Sequence, residues 1–166
     1  LTYDYDKWSF IDPKEAQKKL NLPRNPRDYT SIAVTTDDSN DEIVYASSMG
    51  DGVIQYKNGT PVQSYNEKNA FKETAGGYGS GYCYIDGLAF DKNGNLWMTS
   101  SEVNHAVLVL DKAGAWHRLD IEQLRGVYTL NDILITSTND KWIYVPRNTP
   151  KLVMIPNSES LDEVSS

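Results

Sequence analysis

Apolar and polar positions alternate along most of the chain in short runs. Strand-like runs fall at 31–35, 42–46, 52–56, 61–65, 85–90, 95–99, 106–110, 115–119, 132–136, 141–145 and 151–155. They are too short for amphipathic helices and are rich in β-branched and aromatic side chains. Tight-turn pairs divide them: Asn58-Gly59, Asn93-Gly94, Ala113-Gly114 and Asn139-Asp140. Short strands between tight turns, spaced roughly 8–12 residues apart, predict a sandwich, barrel or propeller. Two stretches read as helix. Residues 14–20 follow Asp12-Pro13, an N-cap residue and a proline at the first helical position. Residues 121–124 have room for one turn. Residues 23–28 read as a connector, and 66–82, with Gly76, Gly77, Gly79 and Gly81, as a long loop.

Self-similarity narrows the choice. An apolar strand, an Asn-containing tight turn and a second strand rich in aromatics recur three times, at 31–46, 87–99 and 132–145. Two further strands follow in the first two repeats. Four antiparallel strands at a period of about 50 residues predict a β-propeller blade. The expected fold is therefore all-β: a β-propeller fragment of about three four-stranded antiparallel blades, with one short helix near the N-terminus. Residues 1–29 are expected to hold an entry strand, the helix and a connector. A blade is expected at 30–66, an inter-blade loop at 67–84, a blade at 85–120, a partial blade at 121–156 and a tail at 157–166. A closed ring needs about 4–8 blades, so the chain reads as a slice of a larger propeller.

Composition removes some functions. Sixteen basic residues against twenty-three acidic ones give a net charge of −7, which repels phosphate backbones. Nucleic acid is not expected as a partner. A single cysteine, Cys83, offers neither an internal disulfide nor a metal cluster. Apolar runs such as 106–110 are far short of the roughly 20 residues that span a bilayer, so no membrane insertion of this segment is expected. The first residue is Leu1, consistent with a processed or cut product.

Most motif-like features have structural readings. Asp91, Asn93, Asn95 and Glu102 fall at EF-hand ligand positions, but Leu96 stands where the calcium loop needs glycine, and the flanks are strands. A hairpin turn is the reading. The glycine-rich stretch 76–81 matches no phosphate-binding loop and no nucleophile elbow. It reads as an inter-blade loop able to present Tyr78, Tyr82 and Tyr84. His105 and His117 have no partner at ligand spacing and read as surface or strand residues. Trp97 and Trp142 occupy equivalent strand positions and read as inter-blade core, as do Tyr45 and Tyr144. No cofactor is implied.

The segment GLAFDKNGNLWMTS at 87–100 resembles the repeat of the two-component regulator propellers of Bacteroidota-type bacteria. So does ASSMGDGVIQYKNGTPVQSY at 46–65, which looks like the second half of that repeat. The continuation SEVNHAVLVLDKAGAWHRL looks like PorZ-type propellers of the type IX secretion system. The third repeat departs from the pattern, with Asn139-Asp140-Lys141-Trp142 in place of Gly-Asn-Leu-Trp. The resemblance implies a periplasmic or cell-surface setting and a role in sensing or in a secretion complex. By it, the partners are a surface glycan, a lipopolysaccharide or a protein, with the rest of the propeller in the parent chain.

The function expected is non-enzymatic binding or scaffolding. The alternative is part of a catalytic propeller, such as a polysaccharide lyase or glycoside hydrolase, which needs convergent acid and base groups. In a propeller the inter-blade connections and the loops between second and third strands gather on one face. Here those are 47–51, 66–82, 100–105 and 146–149. They contribute Met49, Asp51, Tyr78, Tyr82, Asn104, His105 and Arg147 as candidate ligand-binding residues. Aromatic and hydrogen-bonding groups together suit sugar rings, and Arg147 suits an anionic substituent.

Overall fold

The computed structural model describes residues 2–4, 7–71, 81–158 and 161. Tyr78, and most of the tail expected at 157–166, lie outside the described residues. A hairpin of β1 (Thr2–Asp4) and β2 (Lys7–Ser9) opens the chain. Helix α1 (Pro13–Leu20) follows, its N-terminus capped by the Asp12 carboxylate, which accepts the Lys14 amide at 2.9 Å. Three antiparallel units come next. The first is β3 (Tyr29–Thr36), β4 (Glu42–Gly50), β5 (Gly52–Lys57) and β6 (Thr60–Tyr65). The second is β7 (Cys83–Phe90), β8 (Leu96–Ser100), β9 (Val107–Leu110) and β10 (Trp116–Leu119). A single 3-10 turn at Glu122–Leu124 leads to β11 (Ile133–Ile135), β12 (Lys141–Val145) and β13 (Lys151–Ile155). The fold is that of β-propeller blades, the third with three strands among the described residues.

Each blade offers one face to the blade before it and the other to the blade after, because side chains alternate along a strand. Leu88, Leu96, Met98, Leu108 and Leu110 of the second blade bury against Ala33 and Val53 of the first. Trp97, Val107 and Val109, on the opposite face, bury against Ile133, Ile143, Val145 and Ile155 of the third. Helix α1 covers part of the first blade's outer face, where Ala16 packs with Ala46, Ile54 and Tyr56. The innermost strands β7 and β11 approach so closely that a Cβ on Gly87 would lie 2.6 Å from the Ile133 amide nitrogen.

The repeat extends to backbone detail. Both β3 and β7 shift register near their starts, between Tyr29 and Ile32 and between Ile85 and Leu88. Asp91 closes the β7–β8 turn. Its Oδ1 accepts the Asn93 and Asn95 amides at 2.9 Å, and its Oδ2 accepts Asn95 Nδ2 at 2.9 Å and Trp97 Nε1 at 3.0 Å. Asp37 accepts the Ser39 and Asp41 amides in the corresponding turn of the first blade. The would-be calcium loop is thus a carboxylate-clamped hairpin turn.

Three expectations need correction. Residues 47–50 are strand rather than loop, because β4 runs on to Gly50. Their buried polar side chains hide this from an apolar pattern: Ser47 Oγ accepts the Ser31 amide at 3.0 Å, and Ser48 Oγ donates to the Arg27 carbonyl. Trp97 is buried at 1% exposure, but Trp142, at the equivalent register position, is 38% exposed. Tyr144 is 46% exposed as well, since no sheet covers the outer face of the third blade among the described residues.

Candidate functional site

β4 outruns β3 by two residues, and β7 takes the place of β3 there, pairing Met49 with Tyr84 and Gly50 with Cys83. This junction brings the start of β7 to the β4–β5 turn. Asp51 forms that turn between Gly50 and Gly52, whose φ values are +117° and +81°. At Gly52 glycine is required sterically too, since a Cβ would sit 2.1 Å from the Tyr65 carbonyl oxygen.

Arg24, on the connector after α1, lies across this turn. Its Nε donates to Asp51 Oδ1 at 2.5 Å, and its guanidinium carbon sits 4.9 Å from the centre of the Tyr82 ring. Tyr82 in turn meets Tyr84 edge-on, with ring centres 6.2 Å apart. Burial alone would disfavour the Arg24 charge, but Asp51 and then Tyr82 together outweigh it, and the Arg24 pKa is raised. Leu22, Pro23, Asn66, Glu67, Lys68 and Gly81 complete the lining of a cleft of about 290 Å³. That volume is near the lower end of small-molecule sites, which run from roughly 300 to 1,000 Å³. The cleft combines a fixed cation, an aromatic ring and the polar groups of Asn66, Glu67 and Lys68, a set suited to holding a polar ligand with a ring or an anionic group.

The structure brings Asp51 and Tyr82 together, with Met49 beside them on β4 and 44% exposed. Asn104, His105 and Arg147 lie outside this cleft. Asn104 and His105 are in the β8–β9 connection, and His105 is close enough to favour the ionised Asp120, which Arg125 clamps through two hydrogen bonds of 2.6 Å. Arg147 is on the exposed β12–β13 connection. The sequence placed the loop 66–82 on the candidate face without singling out Asn66, Glu67 or Lys68, and offered no sign of Arg24. They reach the cleft through a connector and a loop, where no periodicity marks a side chain's direction.

Two groups with shifted pKa values lie near or behind the cleft. Burial, followed by the nearby Glu67 charge, pushes the Cys83 thiol up to about 12, which keeps it protonated and inert as a nucleophile. Burial also pushes the Asp86 carboxyl up to about 7, against the opposing hydrogen bonds from Ser101. Asp86 is 8% exposed, and its Oδ2 accepts the Ser101 hydroxyl at 2.8 Å. Ser101 Oγ in turn accepts the Leu130 amide. This chain ties β7 to the β10–β11 connection and does not line the cleft.

No family model matches the chain, and no curated protein matches it. Solved structures do. PorZ, an essential surface component of the type IX secretion system of Porphyromonas gingivalis, matches 95% of the chain at 20% identity and a TM-score of 0.73. The extracellular domain of a putative hybrid two-component system from B. thetaiotaomicron matches 81% at 15% identity and a TM-score of 0.52. A second such domain from that organism matches 76% at 14% identity and a TM-score of 0.53. The chain spans between 16% and 21% of these proteins. At such identities the likeness establishes the fold.

Proposed function

We propose that the chain is a non-enzymatic binding segment of an extracytoplasmic bacterial β-propeller, set in the periplasm or at the cell surface. Its ligand is a surface glycan, such as the polysaccharide of a lipopolysaccharide, or a partner protein carrying an anionic group. The observation that carries this reading is the Arg24–Asp51–Tyr82 arrangement, in which a cation is fixed between a carboxylate and an aromatic face beside a small cleft. The structural neighbours support the setting, since they are a secretion-system surface component and extracellular domains of putative hybrid two-component systems.

The outer face of the third blade supports a continuing propeller. Leu134, Trp142, Tyr144, Leu152 and Met154 are 38–65% exposed there. The matching faces of the first two blades are each covered by the next sheet. The rest of the propeller in the parent chain is the natural cover. A glycan array probed with the protein, alongside Arg24→Ala and Tyr82→Ala, tests the binding site. Both variants are expected to lose the signal of the unmodified protein, and Arg147→Ala to weaken it where the ligand extends across the face. Undiminished binding by Arg24→Ala and Tyr82→Ala would move the site elsewhere.

A further inference from the structure

We propose that the wedge between the first and second blades, at the end carrying the β3–β4 and β7–β8 turns, is a second binding site, for a neutral saccharide of one or two rings. It lies at the opposite end of the strands from Arg24, Asp51 and Tyr82, and goes beyond the site proposed above.

The repeat supplies an internal comparison. Across the second blade, Ala89, Trp97 and Val109 lie in one row. The third blade covers Trp97 and Val109 of that row, with Ala89 partly buried beside them. Trp97 is 1% and Val109 0% exposed, and Lys141, itself 2% exposed, lies 4.4 Å from the Trp97 ring centre. Asn139, wholly buried, accepts the Lys92 amide and clasps the two blades at that end. The corresponding row of the first blade is Ala33, Tyr45 and Gln55. Here tryptophan is replaced by tyrosine and valine by glutamine, and both side chains are only half-buried. The second blade presents Phe90, Leu96 and Leu110 to them, and beside the Tyr45–Phe90 contact a space of about 480 Å³ remains open, within the usual range for a small-molecule site. The opening is therefore particular to this pair of blades, where these replacements coincide with a β3–β4 hairpin that runs further past the row than β7–β8 does.

The lining is consistent in its chemistry. Tyr45 and Phe90, which both line the opening, meet edge-on across the two blades at 5.8 Å, and Tyr45 stacks on Tyr65 behind it at 6.3 Å. Gln55 Oε1 accepts the Tyr65 hydroxyl at 3.0 Å. That bond orients the amide and leaves its NH₂ group without another hydrogen bond among the described residues. The mouth is net acidic, with Asp37, Asp38, Asp41 and Asp111 set against Lys57 and Lys112. Lys57 reaches Asp37 at 2.7 Å and Asp41 at 2.8 Å, and Asp111 bonds His117 at 2.9 Å. An aromatic pair, an oriented amide donor and an acidic mouth that repels anions suit an uncharged ring with one apolar face and a rim of hydroxyls.

Saturation-transfer NMR in the Arg24→Ala protein, with glucose, galactose, mannose and N-acetylglucosamine as probes, tests this while silencing the first cleft. At least one sugar is expected to receive saturation. Gln55→Val and, separately, Tyr45→Trp install the residues that the second blade carries. Each is expected to weaken binding roughly tenfold or more, through the lost hydrogen bond or the filled space. Circular dichroism checks that each variant is folded, and either folded variant suffices. No transfer to any sugar, transfer unchanged in the folded variants, or transfer to a polyproline peptide alone would overturn the proposal. Loss of array binding in Arg24→Ala tests the first cleft separately.

Discussion

Trp97 and Trp142 show how far a single residue can be read from its sequence context. Both sit in an aromatic-rich second strand after an Asn turn, and sequence treats them alike. Yet Trp97 packs between two sheets and donates its indole N–H to Asp91, while Trp142 lies on an uncovered face. Trp97→Ala is expected to cost about 3–5 kcal/mol in chemical denaturation, the range for a fully buried aromatic. Trp142→Ala is expected to cost far less in the same protein. Asp86 makes a second residue-scale test. Its folded pKa is raised from 3.8 to about 7, so the native state binds a proton that the unfolded state releases. The associated stability is full below the unfolded value and falls as pH rises towards 7, by on the order of a few kcal/mol. Urea midpoints of Asp86→Asn should therefore vary less between pH 4 and 7 than those of the parent. An equally steep slope would mean that the buried carboxyl titrates normally.

Elements were more legible than the contacts between them. The eleven strand-like runs all correspond to strands, and the helix starts at the proline after its aspartate cap, because each depends on local pattern and turn chemistry. Asp12→Ala is expected to cost about 1 kcal/mol, read from thermal melts, if the cap acts as its geometry indicates. The extension of β4 through Ser47 and Ser48 was not legible. Its polar side chains are satisfied by Thr30, Ser31 and Arg27, partners distant in sequence. The cleft was half legible for the same reason. Asp51 stands between two glycines in a turn and Tyr82 in a long loop, both features that sequence can flag. Arg24 reaches them only because β4 and β7 join where β3 ends, and that junction is set by tertiary packing.

At the scale of the whole molecule, the repeat determines which faces are covered. The outer face of the third blade is apolar and open, and exposed apolar area of this kind normally meets a partner surface. Leu152→Cys, at a position 65% exposed, offers a direct probe, because the native Cys83 is buried and stays protonated. Alkylation of the new thiol is expected to be fast in the present chain and slow in a longer chain that carries the following blade. Equal rates in the two would argue against blade continuation.

Binding without turnover is the central claim, and it is tested most directly by recovering the ligand. The array-positive glycan, incubated with the protein and then chromatographed, is expected to be retained and to elute at its original size. Shortened or unsaturated products would instead assign the propeller to the hydrolases or lyases, and a glycan that is neither retained nor changed would contradict binding itself.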